Sequence, residues 1–286
     1  MAYTQPARIV ESTAEDYHAD LSRVSRSMLV DFIKSPWLYY RRYIKRDAWQ
    51  KQSTKAMDTG TLFHAAILEG KSIYDLVHVI PASVLNADGH CKGKAYTDWK
   101  ACHTDKPCRK AAELDDEISM FVATSKSEAA QEILGNPAGI NEVTIHWDWN
   151  GIQRRTRLDR FIPGVGISDL KTSRVNSLDA INNSIEYDGY YLQAADYQMA
   201  VEALTGETLP FSFIFQPKSL PYATVTIDVD QDWVNEGRAE IEAALARLQV
   251  RGDSNDWRDP VSVQRIKMSR PNSAKYKWHV DGGAAG

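Results

Sequence analysis

Three charged residues lie close together in the second half of the chain, on two segments with the pattern of β-strands. Asp159 stands in the segment RLDRF, and Asp169 and Lys171 stand in SDLKT. Because successive side chains of a strand point to opposite faces, Asp169 and Lys171 share one face. A turn after Asp159 can bring it beside Asp169, and two adjacent carboxylates repel each other unless a cation lies between them. Hard oxygen ligands suit Mg²⁺ or Mn²⁺, so the pattern indicates a divalent-metal site with a lysine at its edge that can activate a water molecule near a phosphate.

A simpler interpretation of the same residues stays open. Asp169 and Lys171 can form a surface ion pair, and Asp159 can be a turn residue, since charged pairs of this kind are frequent. The metal-site interpretation is favoured because Asp169 lies in the otherwise apolar segment GISDL. That segment follows a predicted hairpin whose second strand contains Asp159.

The elements that position these residues follow from turn signals and hydrophobic periodicity. The segment EVTIHWDW (142–149) alternates apolar and polar residues, and Asn150-Gly151 is a strong hairpin signal, so strands are predicted over 142–149 and 152–161. The rest of the pattern predicts further strands over 166–170, 211–216 and 222–229, with helices over 177–205 and 232–248. Upstream, helices are predicted after Ser25 and Pro36 and over 59–69 and 109–134. We therefore predict an α/β fold, a central mixed β-sheet flanked by helices, with a mostly helical N-terminal part.

Composition excludes several classes of protein. The 286 residues include 43% hydrophobic and 25% charged residues, which is average for a globular chain and excludes general disorder. A net charge of −4 excludes a uniformly basic nucleic-acid coat. The longest apolar runs are too short for a membrane helix, and the N-terminus lacks the pattern of a secretory signal, so a cytoplasmic protein without membrane contact is expected.

A basic and aromatic segment stands out in this acidic chain. From Lys34 to Lys55 there are seven positive residues and one negative residue, a net of +6. Lysine and arginine neutralise phosphates, and aromatic rings can stack on an unpaired nucleic-acid end. The alternative is an ordinary amphipathic helix with Trp37 and Tyr40 in the core, and both can hold together. The predicted DNA contacts are Trp37, Arg41, Arg42, Lys45 and Arg46.

Three cysteines and a histidine in a loop-rich insert (81–110) suggest zinc by residue type alone. Cys91, Cys102, His103 and Cys108 lack the paired C-x₂₋₄-C spacing of common zinc fingers. An odd number of cysteines cannot form a complete disulfide framework. We interpret them as free loop thiols, with no role assigned.

Five segments in matching order resemble the PD-(D/E)xK nuclease superfamily. They are TGTLFHAAILEG (59–70), EVTIHW (142–147), RTRLDRF (155–161), ISDLKTS (167–173) and YYLQAADYQMA (190–200). Within that superfamily the chain is most similar to the C-terminal nuclease domain of exodeoxyribonuclease VIII (RecE) and its phage-borne relatives. The basic and aromatic segment also resembles that family's N-terminal segment, so the resemblance covers about residues 25–250.

The resemblance implies a role for each matching residue. The implied metal ligands are His64, Asp159, Asp169 and the carbonyl of Leu170, and the implied catalytic lysine is Lys171. Glu142 would be a ligand or would support one. Gln193 and Tyr197 would position DNA and the active site, and Arg155 and Arg157 would bind the DNA backbone. Alternatives stay open: His64 can be a packed core histidine, Gln193 and Tyr197 can pack against the sheet, and the two arginines can form a solvated strand face. Leu158 stands where many relatives have proline, which affects structure rather than chemistry.

The resemblance also implies a function. It predicts a Mg²⁺-dependent exonuclease, with Mn²⁺ as a substitute, that degrades the 5′-ended strand of linear duplex DNA in a bacterial cell. The 3′ overhang would serve a single-strand annealing partner of the RecT type, and the enzyme would be a ring-shaped trimer or tetramer. The alternatives are a nuclease for single-stranded or branched DNA and a non-catalytic protein that binds DNA ends.

The predicted domain organisation places one nuclease domain over residues 25–270. It consists of a mostly helical part (25–135) and a catalytic α/β core (141–250). An irregular leader (1–24) precedes it and a tail (271–286) follows.

Overall fold

The computed structural model describes residues 6–47, 54–173 and 177–259. Within these ranges the strands are β1 (Arg8–Val10), β2 (His78–Val79), β3 (Cys108–Arg109), β4 (Ile140–Trp149), β5 (Ile152–Ile162), β6 (Gly166–Ser173), β7 (Phe211–Pro217) and β8 (Val225–Asp228). The helices are α1 (Ala14–Ala19), α2 (Arg26–Lys34), α3 (Pro36–Tyr39) with a π-helical continuation (Tyr40–Ile44), α4 (Lys55–Ile67), α5 (Ile73–Leu76), α6 (Lys94–Ala101), α7 (Ala111–Lys126), α8 (Glu128–Leu134), α9 (Leu178–Tyr187), α10 (Tyr190–Thr205) and α11 (Gln231–Ser254), and Ala82–Val84 form a 3₁₀ turn.

The chain divides into two compact units, where the sequence predicted a single domain over 25–270. The first unit comprises Met1–Arg26 and Lys51–Glu242, and the second comprises Ser27–Gln50 and Ala243–Gly286. The predicted tail (271–286) lies outside the described residues. None of the described helices is long and apolar enough to cross a membrane.

The first unit is built on a six-stranded mixed sheet, which confirms the predicted fold class. The strand order is β1-β4-β5-β6-β7-β8. β6 and β7 are parallel, and the other neighbouring strands are antiparallel. A parallel pair needs a long crossover, and α9 and α10 supply it here. The sheet therefore has the two kinds of pairing that the sequence pattern predicted.

The β4–β5 hairpin has the geometry that its turn residues favour. Asn150 and Gly151 both have positive φ angles, 48° and 91°, as a tight hairpin turn with a right-handed strand twist requires. Trp149 pairs with Ile152 directly across this turn. The turn therefore fixes the register of the whole hairpin.

Helices cover both faces of the sheet. Phe63 of α4 packs in one apolar cluster with Leu170 of β6 and Ile214 of β7. Asp169, the neighbour of Leu170, bonds instead to Gln193 of α10. Because neighbouring strand residues point to opposite faces, α4 and α10 lie on opposite sides of β6. The site described below is built from both of these helices and from the strands between them.

Three local expectations are corrected by the structure. The predicted irregular leader is ordered over residues 8–19, because β1 pairs with β4 and α1 follows it with a Thr13 capping box. The predicted helix over 177–205 is two helices, since Gly189 takes a left-handed conformation (φ 68°) between them. The predicted helix over 109–134 is also two helices, which meet at Ser127, and the loop-rich insert 81–110 contains α6.

The second unit has an aromatic stack of its own. Ser35 caps α3, and its hydroxyl also donates to Asp259 over 2.7 Å. Trp37 stacks on Tyr40, Tyr40 on Trp257, and Trp257 on Tyr39, with ring centroids 5.4–5.8 Å apart. The aromatic residues of the basic and aromatic segment therefore pack on one another and on Trp257.

Candidate active site

The site begins where β5 and β6 separate. Their backbone pairing runs from Ile162↔Gly166 to Arg160↔Ser168. One residue further on, the amide of Leu170 donates to the side chain of Asp159 over 2.8 Å. The Asp159 carboxylate thus takes the place of a backbone partner and is almost fully buried, with 7% of the residue exposed. A buried carboxylate held by a backbone amide is fixed in one orientation.

Glu142 of β4 lies directly across from Asp159. The pairs Asn141↔Arg160 and Val143↔Leu158 enclose this position in the hairpin register. Glu142 also has a φ angle of 55°, in the left-handed region that residues with a side chain rarely occupy. Such a conformation costs on the order of 1–3 kcal/mol and is frequent at functional sites. The position of Glu142 opposite Asp159 places it in the site, and its backbone conformation agrees with that placement.

His64 of α4 completes a three-residue group with these carboxylates. Its Nε2 donates to the carbonyl of Leu170 over 3.0 Å, which leaves Nδ1 facing Glu142 Oε1 and Asp159 Oδ2, each 3.6 Å away. Each of the three residues offers a ligand atom, and these atoms all lie within 4.8 Å of one another. One imidazole nitrogen and two carboxylate oxygens are a donor set that can hold a divalent cation, and the two carboxylate oxygens are of the kind that Mg²⁺ and Mn²⁺ prefer.

The charges of this group depend strongly on one another. Burial alone would lower the pKa of His64, but attraction to Asp159 and the contact with Glu142 outweigh it and raise that pKa to about 9. Burial and repulsion from Asp169 raise the pKa of Asp159. Burial opposes the ionisation of Glu142, yet His64 and Arg157 keep its pKa below the usual value. The proton that His64 retains therefore offsets the charge of the two carboxylates, and a divalent cation would displace that proton on binding.

A second chain of contacts holds Lys171 next to this group. Lys171 forms an ion pair with Asp169, which is buried, and its Nζ lies 5.2 Å from the ring centre of Tyr190. Gln193 donates to Asp169 over 2.6 Å and to the hydroxyl of Tyr197 over 2.8 Å. Burial raises the pKa of Tyr197 well above its usual value, so this tyrosine is neutral. Lys171 is therefore held through Asp169 by a network anchored on α10.

The structure brings together most of the residues that the sequence predicted to take part in the chemistry. His64 and Asp159 come together, and Glu142, which the sequence placed less firmly, is the third member of the group. The Leu170 carbonyl accepts from His64 Nε2 and is not one of the grouped ligand atoms, so its metal contact stays a prediction. Asp169 is not a member of this group, since its carboxylate is engaged by Lys171 and Gln193. A direct metal contact by Asp169 stays a prediction.

Tyr190 is a site residue that sequence reasoning missed. It lies three residues before Gln193 on α10, on the same side of the helix, and beneath the ammonium of Lys171. The helical spacing Tyr190–Gln193–Tyr197 would have indicated it.

The two arginines of β5 are not placed as an open phosphate-binding face. Arg155 is buried, with its guanidinium 4.8 Å from the ring centre of Tyr17. Arg157 is half-buried and donates from Nε to Glu142 Oε2 over 2.7 Å. The solvated strand face that the sequence left as an alternative is not observed either, because α1 and the Ser12 region cover these side chains. The structure therefore argues against Arg155 as a DNA contact.

The basic residues of the second unit are partly neutralised. Arg42 pairs with Asp31 over 2.6 Å, and Arg41 and Lys45 both pair with Asp47. Arg46 and Trp37 are exposed. The predicted DNA contact of this segment is not tested by these observations and stays a prediction.

The cysteines of the insert are free thiols. Cys108 lies 3.2 Å from the ammonium of Lys100. Within the described ranges, the group around His64 is the one set of three metal-ligating side chains found, so the cysteines and His103 do not form such a set.

Comparison with known proteins identifies the class to which this fold and site belong. A family model described as a PDDEXK-like domain of unknown function (DUF3799) matches residues 25–262. The chain therefore belongs to this family, and the resemblance to the PD-(D/E)xK superfamily is confirmed.

Solved structures show the same fold. The crystal structure of a protein described as "Putative exonuclease" from Eubacterium rectale matches with a TM-score of 0.61 and 19% sequence identity, covering 92% of this chain and 97% of that one. At this identity the match is evidence for the fold alone. Among curated proteins no match was found.

Proposed function

We propose that this nuclease-fold protein is a Mg²⁺-dependent exonuclease for linear duplex DNA, with Mn²⁺ as a substitute, and that it degrades the 5′-ended strand. The observation that supports hydrolysis most strongly is the group of His64, Glu142 and Asp159 with Lys171 beside it. Polarity and substrate rest on the resemblance to the RecE nuclease domain. The non-catalytic alternative is disfavoured, because a protein that only binds DNA ends has no need of this complete set.

Each residue of the site has a distinct task in the proposed reaction. His64 Nδ1, Glu142 Oε1 and Asp159 would hold the ion, which when bound would offset charge on the phosphoryl oxygens and lower the pKa of a water ligand. Lys171, fixed by its ion pair with Asp169, would orient the attacking water and stabilise the negative charge of the transition state. The attacking water gives up its proton to solvent as its oxygen forms the new bond to phosphorus. The bond to the 3′ oxygen breaks, and solvent protonates that leaving oxygen.

The remaining parts of the proposal follow the same resemblance. The 3′ overhang would be passed to a single-strand annealing protein of the RecT type in the bacterial cytoplasm. The active assembly would be a ring-shaped trimer or tetramer around the DNA. Exposed Trp37 and Arg46 would contact the DNA end, with the paired Arg41, Arg42 and Lys45 exchanging their carboxylate partners for phosphates.

Digestion of end-labelled DNA tests this proposal. Linear duplex labelled at the 5′ or the 3′ end, circular duplex and single-stranded DNA would each be incubated with the full chain, with Mg²⁺ or with a chelator. We expect early loss of the 5′ label from linear duplex, no cutting of circles, and no reaction with chelator. Preferred cutting of single strands or circles would reject the duplex exonuclease, and absence of cutting with binding of duplex ends would favour the non-catalytic alternative.

A further inference from the structure

The two oxygens of the Glu142 carboxylate face different partners. Oε1 lies 3.6 Å from His64 Nδ1, on the side of the three-residue group. Oε2 accepts from Arg157 Nε over 2.7 Å, a charge-assisted hydrogen bond. One oxygen is therefore fixed by the protein while the other is directed at the place where an ion would bind.

Arg157 is itself held at its other end by the N-terminal segment. Its Nη1 donates to the carbonyl of Ser12 over 2.9 Å and to the hydroxyl of Thr144 over 3.3 Å. The Ser12 hydroxyl donates to the same Thr144 oxygen over 2.8 Å, and β1 pairs with β4 at Val10↔Thr144. The guanidinium is thus clamped between β4 and a segment that lies before the residues matched by the family model.

These bonds from Arg157 restrict the position of the Glu142 carboxylate. A glutamate has three rotatable side-chain bonds, so the carboxylate of Glu142 would otherwise sample many positions. Groups that bond to metal ligands orient them, and their loss typically weakens metal binding by about 10- to 100-fold. The planar fork of arginine can bond to Glu142 and Ser12 at once, which the single ammonium of lysine cannot do in the same geometry.

We propose that Arg157 is a positioning residue of the metal site, which fixes Glu142 so that its free oxygen binds the ion. This inference rests on the proposed function, since it assigns a task within the same site. The inference predicts the direction in which metal affinity changes when Arg157 is replaced. The positive charge of Arg157 by itself repels a cation, so a role in charge alone would give tighter metal binding when the arginine is removed. A positioning role gives weaker binding.

Calorimetric titration of the full chain with Mn²⁺ in the absence of DNA tests the proposal. Arg157→Gln is expected to weaken Mn²⁺ binding at least about 10-fold, and Arg157→Lys is expected to recover part of it. Arg238→Gln is the matched control, because Arg238 bonds to Glu202 over the same 2.7 Å but that pair lies outside the three-residue group. It should bind Mn²⁺ as the wild type does. Thermal unfolding of each variant in chelator reports on folding separately.

The outcomes separate this inference from the proposed function. Unchanged or tighter binding by Arg157→Gln, with normal binding by the wild type, overturns the positioning role and leaves the nuclease intact. Absence of Mn²⁺ binding by the wild type overturns both. If Arg157→Gln does not fold, Thr144→Val removes one bond to the guanidinium and is expected to weaken binding by a smaller factor. Equal affinity of Thr144→Val and wild type would then overturn the proposal.

Discussion

Replacing Lys171 by methionine tests the catalytic role of its ammonium most specifically. Methionine keeps a long apolar side chain that can pack near Tyr190 and Phe213, whose ring centres lie 5.2 and 5.9 Å from Nζ. The ammonium is the group that would orient water, so its loss should lower the rate of cleavage by about 10²–10⁴-fold. That range corresponds to about 3–5 kcal/mol of transition-state stabilisation. Binding of Mn²⁺ should not weaken, because Lys171 is not one of the three grouped ligands and the loss of its positive charge removes a repulsion on the cation.

The same substitution has a calculable cost in stability. Asp169 is buried, with 1% exposed, and loses its cation while it keeps the 2.6 Å hydrogen bond from Gln193. Breaking a fully buried ion pair costs about 3–5 kcal/mol. Because 18% of the Lys171 side chain is exposed and Gln193 remains, we expect a smaller loss, about 1–3 kcal/mol.

Single-turnover cleavage of linear duplex DNA at saturating Mg²⁺, together with urea unfolding in chelator, separates the two effects. Lys171→Arg is the control, since it keeps a cation for Asp169 and should restore most of the stability without restoring the rate. If Lys171→Met cleaved DNA within about tenfold of the wild-type rate, the assigned role of the ammonium would be refuted.

Three further substitutions test packing and ion pairing in the first unit and in α11. Gly237→Ala should lower the free energy of unfolding by about 1–3 kcal/mol, because the added Cβ would lie 2.6 Å from the carbonyl oxygen of Tyr191. Gly252→Ala in the same helix meets nothing within 4 Å and should raise it by up to about 1 kcal/mol. Urea denaturation measures both, and equal effects would contradict the close approach of α11 to α10. Asp196→Ala should cost about 3–5 kcal/mol, since it leaves the fully buried Arg154 without its ion-pair partner. A loss below about 1 kcal/mol in thermal or urea unfolding would contradict that assignment.

The hairpin shows how far sequence reasoning could have gone. Asn150-Gly151 fixes Trp149 opposite Ile152, and counting seven residues along each strand from this pair places Glu142 opposite Asp159. Facing residues of an antiparallel pair lie on the same side of the sheet. The position of Glu142, the third member of the three-residue group, could therefore have been predicted from the hairpin register alone.

Other parts of the fold depend on contacts between residues far apart in the sequence, which the local residue pattern does not reveal. β1 has only three residues, too few to form a recognisable strand pattern although Ile9 and Val10 favour one, and its pairing with β4 stabilises it as a strand. The leader therefore looked irregular. In contrast, the break at Gly189 could have been predicted, because Asp-Gly inside a helical pattern is a turn signal.

The ion pairs of the predicted DNA-binding arginines could not be predicted from the local sequence either. Arg42 pairs with Asp31, eleven residues earlier, and Arg41 pairs with Asp47 beyond the π-helical turn. Counting charges along the segment gave its net charge correctly. Which arginines are free for phosphate depends on the local backbone path, and the buried position of Arg155 under Tyr17 depends on the folded N-terminal segment.

The central claim is that His64, Glu142 and Asp159 bind a divalent ion. The most direct measurement is a calorimetric titration with Mn²⁺ of the wild type and of Asp159→Ala, both shown to be folded by circular dichroism. We predict that the wild type binds at least one ion per chain and that binding by the variant is lost or weakened by more than about 100-fold, because the buried carboxylate at the centre of the group is gone. Equal Mn²⁺ affinity of the two proteins, or no binding by the wild type, would contradict the account.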